Sequence, residues 1–430
     1  MSRMALPRYE LQTPACWSRV SARTMARGCR VASIALLLAG PLLLASPLCA
    51  AEGVAVLLEG EPIASATIES CEIDAARREV VLGVDGESQA ISGLVRWGAP
   101  TPPAARTTVV LEDGSRLVTD RPWSPAGLAR VEADKVRLRR GKAWIDLPRN
   151  RVRWVLLSPE AAGLDAERLP TDDTDDDTVF LTSGDQLSGR VETLSADLLR
   201  LDVAGEVIET PLEAIAAVRF GEAEIAANDA VCLVGLDDGT LIEAQSLSVS
   251  EDTFTLVIAG SAVSGDAAAL VLVQPLGGSV RYLSDIEAVD YRHTPYLDLP
   301  WPCSRDTGLH GGPLVGGGRR AAKGIGLHSA ARLVYRLDAG SQRFQAELAV
   351  ANPAPDSART GSVVFRVYLV QEGKFEPAYQ SGVIRVGDPA TPIDLQVSGA
   401  DALALIVDYA DNGDAGDDAL WLDARLVATP

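Results

Sequence analysis

What most constrains this chain is a pattern that returns four times, loosely, between residues 53 and 293. The third copy is the clearest: TVFLTSGDQLSGRVETLSADLLRLDVAGEVIETPLEAIAAVRF, Thr178 to Phe220. Short alternating strands, a turn at Ser183–Asp185 and a second at Ala204–Gly205 lead to an apolar pair, a Pro, a short helical turn and a final strand. The second copy opens TTVVLEDGSRL and closes IDLPRNRVRWVLL from Ile145. The fourth opens VCLVGLDDGTLIEA and closes VRYLSDIEAVDY from Val280, and the first runs from VAVLLEGEPIA at Val54 to ISGLVRW at Trp97. Asp113–Gly114 and Asp238–Gly239 between apolar runs signal hairpins, because both residue types tolerate positive φ. Strands of about 4–8 residues with turns roughly every 8–12 argue for small barrels or sandwiches. The copies begin near residues 54, 107, 178 and 229, a spacing too uneven for a strict solenoid.

The fold class predicted for this region is all-β: several small, strongly bent β-barrel-like repeats of five or so strands. In outline they resemble Sm-like or Src-homology-type barrels, a likeness that carries no function. Two repeats are expected in 53–160 and two in 178–293. Between them, 161–177 contains LPTDDTDDDTV, with Asp172, Asp173, Asp175, Asp176 and Asp177. These carboxylates lack the Gly turn and ligand spacing of a calcium loop, so the segment reads as a solvated, self-repelling linker.

Length allows two to four domains at roughly 100–200 residues each in 430. Aromatics make up only 5%, so cores must rest on Val, Leu, Ile and Ala. The formal charge of −20 becomes −25 without residues 1–51, which hold six Arg and one Glu. Such a surface repels phosphate backbones and anionic lipid, which argues against a nucleic-acid partner.

Residues 1–51 read as an export signal: Arg27 and Arg30, the apolar run Val31–Leu48, then small residues. Cleavage after Ala50 or Ala51 is expected, and Met25 begins a conventional signal by itself. Cys49 invites a lipoprotein reading, but Pro47 and Leu48 stand where small residues belong. An uncleaved anchor competes, since about 18 apolar residues can just span a bilayer. Pro41 and the small residues favour cleavage, which leaves no membrane span in the mature chain. The expected location is the periplasm, cell envelope or extracellular space. Beyond the signal only Cys71, Cys232 and Cys303 remain, too few for a disulfide framework and without zinc-ligand spacing.

From Thr294 the character changes to LPWPCSRDTGLHGGPLVGGGRRAAKGIGLHS, rich in Gly and Pro. No Lys-Ser/Thr follows its glycines, as a phosphate loop requires, and ARLVYRL after it reads as a strand rather than the helix of a dinucleotide fold. The run AAKGIGLHSAARLVYRL (Ala321–Leu337) is similar to the opening signature of the NPCBM family, carbohydrate-binding modules associated with family 98 glycoside hydrolases. The likeness continues through RFQAELAV, GSVVFRVYL and SGVIRVGDPATPIDLQVSGADALALIVDYADNG. It closes on W-x-D-A-R-L at Trp421–Leu426, and covers about 295–428. The resemblance implies that residues 294–430 form a galactose-binding-like β-sandwich, a jelly roll that binds sugar through loops at one end.

Sugar sites combine polar groups for hydroxyls with a flat ring for C–H faces. The carbohydrate-binding candidates are therefore His328, Asn352, Tyr409, Asp414 and Trp421. His328 serves equally well as a structural histidine bonded to backbone. Trp421 falls in an apolar closing strand and reads more as core than as platform. Tyr409 is the better stacking ring, and Asp423 reads as a cap on nearby backbone. The loop DYADNGDAGDDALW could hold calcium through Asp411, Asp414, Asp417 and Asp418, or stand solvated; calcium is the one cofactor in question. One departure from the family follows Val350. Where related modules present acidic residues, this chain has ANPAPDSARTGS, with only Asn352 and Asp356 as polar candidates.

Histidine, the commonest acid–base, occurs only at 293, 310 and 328, and neither G-x-S-x-G nor H-E-x-x-H is present. The expected function is that of an exported, non-catalytic glycan-binding protein whose repeats act as spacer or assembly platform. The alternative is a structural or protein-interaction component of the envelope whose module has lost its sugar site. An envelope protein or a glycoside hydrolase is the expected kind of protein partner, besides a glycan or polysaccharide.

Overall fold

A computed structural model describes residues 52–119, 129–132, 134–170, 175–221, 223, 229–295, 300–353, 361–411 and 413–428. The export segment 1–51, Asp172, Asp173 and Asp356 lie outside the described residues. Strands and five short 3-10 turns are the regular elements among those described, and no described helix is long and apolar enough to cross a membrane.

Each copy of the repeat forms one small barrel in which the first strand pairs with both the second and the last. Gly53–Leu57 pairs with Ile63–Ile73 and Leu94–Gly98. Thr108–Leu111 does so with Arg116–Val118 and Val152–Leu156. Asp177–Leu181 lies between Gln186–Leu194 and Ile215–Arg219, and Cys232–Leu236 between Leu241–Ala244 and Leu270–Pro275. The Asp-Gly turns differ from expectation in detail. Only the glycine takes positive φ, 86° at both Gly114 and Gly239. The loops have three residues, closed by Leu111 N–H to Ser115 O and Leu236 N–H to Thr240 O. Asp113 Oδ1 and Asp238 Oδ1 accept from the amides two residues on, which holds the aspartates in the right-handed half of the turn.

The copies do not pair in chain order. Ile215–Arg219 is buried at every position, and a small barrel covers only one face of such a strand. The second face is buried by edge-to-edge pairing of closing strands. Val152–Leu156 runs antiparallel to Ile215–Arg219, joining copies two and three. Leu94–Gly98 pairs with Leu270–Pro275, joining copies one and four. A second contact reinforces each pair, Leu194 with Val131 and Val249 with Cys71. Gly98, at φ 76°, allows the outer crossing, since a Cβ there would lie 1.9 Å from Val271 O. The pairing is nested, one and four outside and two and three inside, a partnering that the two repeats in 53–160 and two in 178–293 left open.

The linker reading of 161–177 also changes. Ala162, Leu164, Ala166 and Leu169 pack on Trp154, Leu156, Phe180 and Ala217 of the inner pair. Asp177 is buried: its Oδ2 accepts from Val191 N–H and Arg149, both at 2.8 Å, and its Oδ1 from Gly221 N–H. A carboxylate with three donors is a staple and not a solvated spacer.

Leu270–Pro275 completes the fourth copy, so the run from Val280 belongs elsewhere. Val280–Tyr282 pairs with Asp418–Ala428, and Asp290–His293 with Ala331–Arg336, both in the C-terminal sandwich. That sandwich therefore begins near residue 279 rather than 294. One sheet holds Ser304–Arg305, Gly324–His328, Asp418–Ala428, Ser341–Val350 and Thr391–Gln396. The other holds Asp290–His293, Ala331–Arg336, Ala402–Tyr409, Ser362–Gln371 and Lys374–Gln380. Their inner faces supply Leu327, Phe344, Leu348 and Trp421 against Tyr335, Phe365, Leu403 and Val407. Trp421 is fully buried, edge-on to Phe365 at 5.0 Å, which makes it core and corrects its place among ligand candidates.

Candidate functional site

Strand register brings the polar candidates to one end of the sandwich. In the first sheet His328 stands opposite Asp418, and Val350, two residues before Asn352, opposite Ala419. In the second, Ala331 pairs with both His293 and Val407, two residues before Tyr409. Strand ends from both sheets thus converge on the turn Ser329–Ala330 and the loop 410–417.

All three histidines of the chain gather here around Trp301. Its backbone N–H donates to His293 Nδ1 at 3.0 Å, while His293 Nε2 lies 3.1 Å from Ser329 O. The first contact makes Nδ1 an acceptor, so the proton sits on Nε2 and the ring is neutral. Burial, and then the neighbouring His328, push the His293 pKa down. The Trp301 indole stacks on His328, centroids 5.6 Å apart and planes 14° from parallel, and His310 meets it edge-on at 5.0 Å. His310 Nε2 is 3.0 Å from Asp418 Oδ2. The Tyr291 hydroxyl donates to Trp301 O and fixes the segment that carries the indole.

Acids of the loop border this stack. Asp417 is fully buried, its Oδ1 accepting from Ser362 N–H at 2.8 Å while its Oδ2 and the nearby Ser329 hydroxyl are buried without a hydrogen-bond partner among the described residues. Burial pushes its pKa up. Asp414 is half-buried, and its charge acts on both His293 and Asp417.

The structure thus brings His328, Asp414, Asp417 and Asp418 together. His328 is itself buried, its Nδ1 3.4 Å from Ser329 O. Asn352 is exposed, and its backbone N–H donates to Val315 O at 2.7 Å. Tyr409 is 59% exposed, a ring free to meet a ligand. Three of the four loop acids named as calcium ligands already have other partners. Asp411 is paired with Arg385 at 2.5 Å, Asp418 faces His310, and Asp417 serves Ser362. Among the described residues no three His, Cys, Asp or Glu side chains converge as a metal site requires.

Sequence reasoning missed Trp301, His293 and His310 as site members. Trp301 sits in a Pro-rich stretch without periodicity, and the one available signal was that every histidine falls between 293 and 328.

No curated protein matches the chain. Among solved structures, the chain is similar to "CBM51 from Clostridium perfringens GH95 in complex with methyl-galactose", at 22% identity and TM-score 0.30, covering 34% of this chain and 99% of that one. It is also similar to the CBM51-2 and INT domains of Clostridium perfringens ZmpB, at 19% identity and TM-score 0.31; 48% of this chain is covered, and the chain spans 39% of that structure. A third is the tandem CBM51 modules of Sp3GH98 from Streptococcus pneumoniae, at 12% identity and TM-score 0.29, covering 75% of this chain and 88% of that one. Residues 279–427, the C-terminal sandwich, match the family model of the NPCBM/NEW2 domain.

Proposed function

We propose that this is an exported, non-catalytic protein that binds a glycan at the loop end of its C-terminal sandwich. The observation that carries the reading is the convergence of Trp301, the three histidines, Asp414 and Asp418 at one end of an NPCBM/NEW2 domain, beside an exposed Tyr409. Flat rings with adjacent hydroxyl-bonding groups are the combination that sugars require. The barrels present this end and carry no chemistry in the proposal. The periplasm, cell envelope or extracellular space is the proposed location, on the strength of the N-terminal signal pattern.

The experiment is a glycan array probed with the full chain, with and without millimolar calcium. Binding that is lost in Trp301→Ala or Tyr409→Ala and indifferent to calcium supports the proposal. A folded chain that binds nothing supports a second reading, that of a structural component of the envelope. One observation favours that reading: His328 is buried under Trp301, so the best polar candidate already has its ring occupied.

A further inference from the structure

Each barrel pair carries an apolar outer face at the junction of its strands, and the two faces are covered differently. On the inner pair the chain's own 162–169 segment lies over Trp154, Leu156, Phe180 and Ala217. On the outer pair, Leu233, Leu272 and Leu276 pack with Leu58 beneath Val280, Tyr282 and Ala322 of the sandwich.

Buried polar contacts surround that second patch. Arg96 Nε reaches Asp423 Oδ2 at 3.0 Å and Arg96 Nη2 reaches Glu347 at 3.1 Å. Gln274, on the neighbouring closing strand, donates to Asp423 Oδ1 at 3.2 Å. Tyr282 OH donates to Val95 O, and Gln345 Nε2 to Leu58 O. From the sandwich side Arg319 contacts Asp423 at 2.7 Å and Glu347 at 2.8 Å. Lys323 adds a contact to Glu243 of the fourth barrel at 3.6 Å. Burial alone would raise the Asp423 pKa, but the guanidiniums of Arg319, Arg96 and Arg425 hold it below the usual carboxylate range.

Asp423 is 1% exposed and stands at φ 48°, beside the register shift that separates the Glu347–Leu422 and Gln345–Arg425 pairs. Without the barrels, Asp423 and Glu347 would lose Arg96 and Gln274, and the side chains of Val280 and Tyr282 would meet water. A buried carboxylate stripped of a partner is strongly destabilising.

We infer that the outer barrel pair is a docking platform for the sandwich, read through Asp423, and that in the finished protein barrels and sandwich unfold as one body. The family-signature residues Lys323 and Asp423 therefore serve docking, and the ligand end is held in a fixed orientation to the barrels. The inference does not rest on glycan binding.

The test is calorimetry and amide hydrogen exchange on the full chain, comparing wild type with Arg96→Gln and Asp423→Asn. Asn tolerates the left-handed backbone of Asp423, and Gln is a shorter, uncharged polar chain in place of Arg96, so both changes are sterically mild. One cooperative transition is expected for wild type, splitting into two in each variant. Exchange in Val280–Tyr282 and along Asp418–Ala428 should rise about tenfold, and by more than in Val152–Leu156 of the inner pair. Two independent transitions in wild type would overturn the inference, as would variants whose scans and exchange match wild type. If Asp423→Asn fails to accumulate, Arg96→Gln decides alone, since it leaves the sandwich sequence intact. A wild-type chain that binds no sugar leaves this result untouched.

Discussion

The sandwich carries two polar clusters built on opposite terms. Facing the barrels, permanent charges are paired and sealed: Arg96, Arg319, Asp423 and Glu347 sit among apolar side chains with little water contact. At the loop end, rings and titratable groups are stacked and partly open: Trp301, His293, His310 and His328 with Asp414 and Asp418. Guanidinium–carboxylate pairs with fixed fork geometry suit a joint that must never open. Stacked rings and half-buried acids beside an exposed Tyr409 suit a surface that meets ligands.

This contrast can be broken by substitution, beginning where the effect is greatest. Asp423→Leu leaves Arg96 and Arg319 buried against an apolar side chain, and should cost about 3–5 kcal/mol in urea unfolding. A loss below about 1 kcal/mol would mean that the joint is open to water. Trp421→Ala removes the ring between Phe344 and Phe365 at a comparable cost of about 3–5 kcal/mol, without altering the Arg96 contacts. Trp301→Ala should abolish glycan binding while leaving the unfolding midpoint within a few degrees, since the indole is only half-buried. A collapse in stability with binding retained would reverse the roles of the two clusters.

Acidity should separate the clusters as well. His293 has a lowered pKa, so its neutral form is the folded form, and its contribution is present above the unfolded value of about 6.5. As pH falls through that value and then through the lower folded one, the ring must take a proton beside His328 and that contribution is lost. Amide protection around Trp301, taken relative to the intrinsic exchange rate at each pH, should therefore fall as pH drops below about 6.5, while protection around Arg96 does not change. An equal response at both sites below that pH would sink the idea. The smallest effect is expected at Asp411→Asn. Its pair with Arg385 is exposed, and such pairs are worth about 0–1 kcal/mol, so neither stability nor binding should move measurably.

Much of this architecture was legible in the residues. Apolar alternation broken by glycine turns specified four small barrels, and K-G-I-G-x-H with W-x-D-A-R-L marked the sandwich. What could not be read was who pairs with whom. A closing strand such as Ile215–Arg219 announces by its apolar run that both faces are buried, yet several edges could satisfy it. The run at Val280 was credited to the fourth barrel because its apolar spacing imitates a closing strand; only its pairing with Asp418–Ala428 tells the two apart. At the site, the loop acids were visible, but Trp301 was hidden in a segment that no periodicity describes. Asp423 was read as a local cap, because its true partners Arg96 and Gln274 are remote in sequence.

The nested pairing also sets a timetable. A chain is made from its N-terminal end, at roughly 5–20 residues per second, and an exported one threads across the membrane with that end leading. The first barrel emerges first, yet its closing strand finds its mate only when Val273 arrives opposite Trp97. The inner pair, whose Val155 needs only Val218, can close while the last barrel and the sandwich are still unmade. Until then Leu94–Gly98 is an unpaired apolar edge, the kind of surface that recruits other chains. A protein laid out this way assembles from the middle outward, and its oldest segment waits longest for protection.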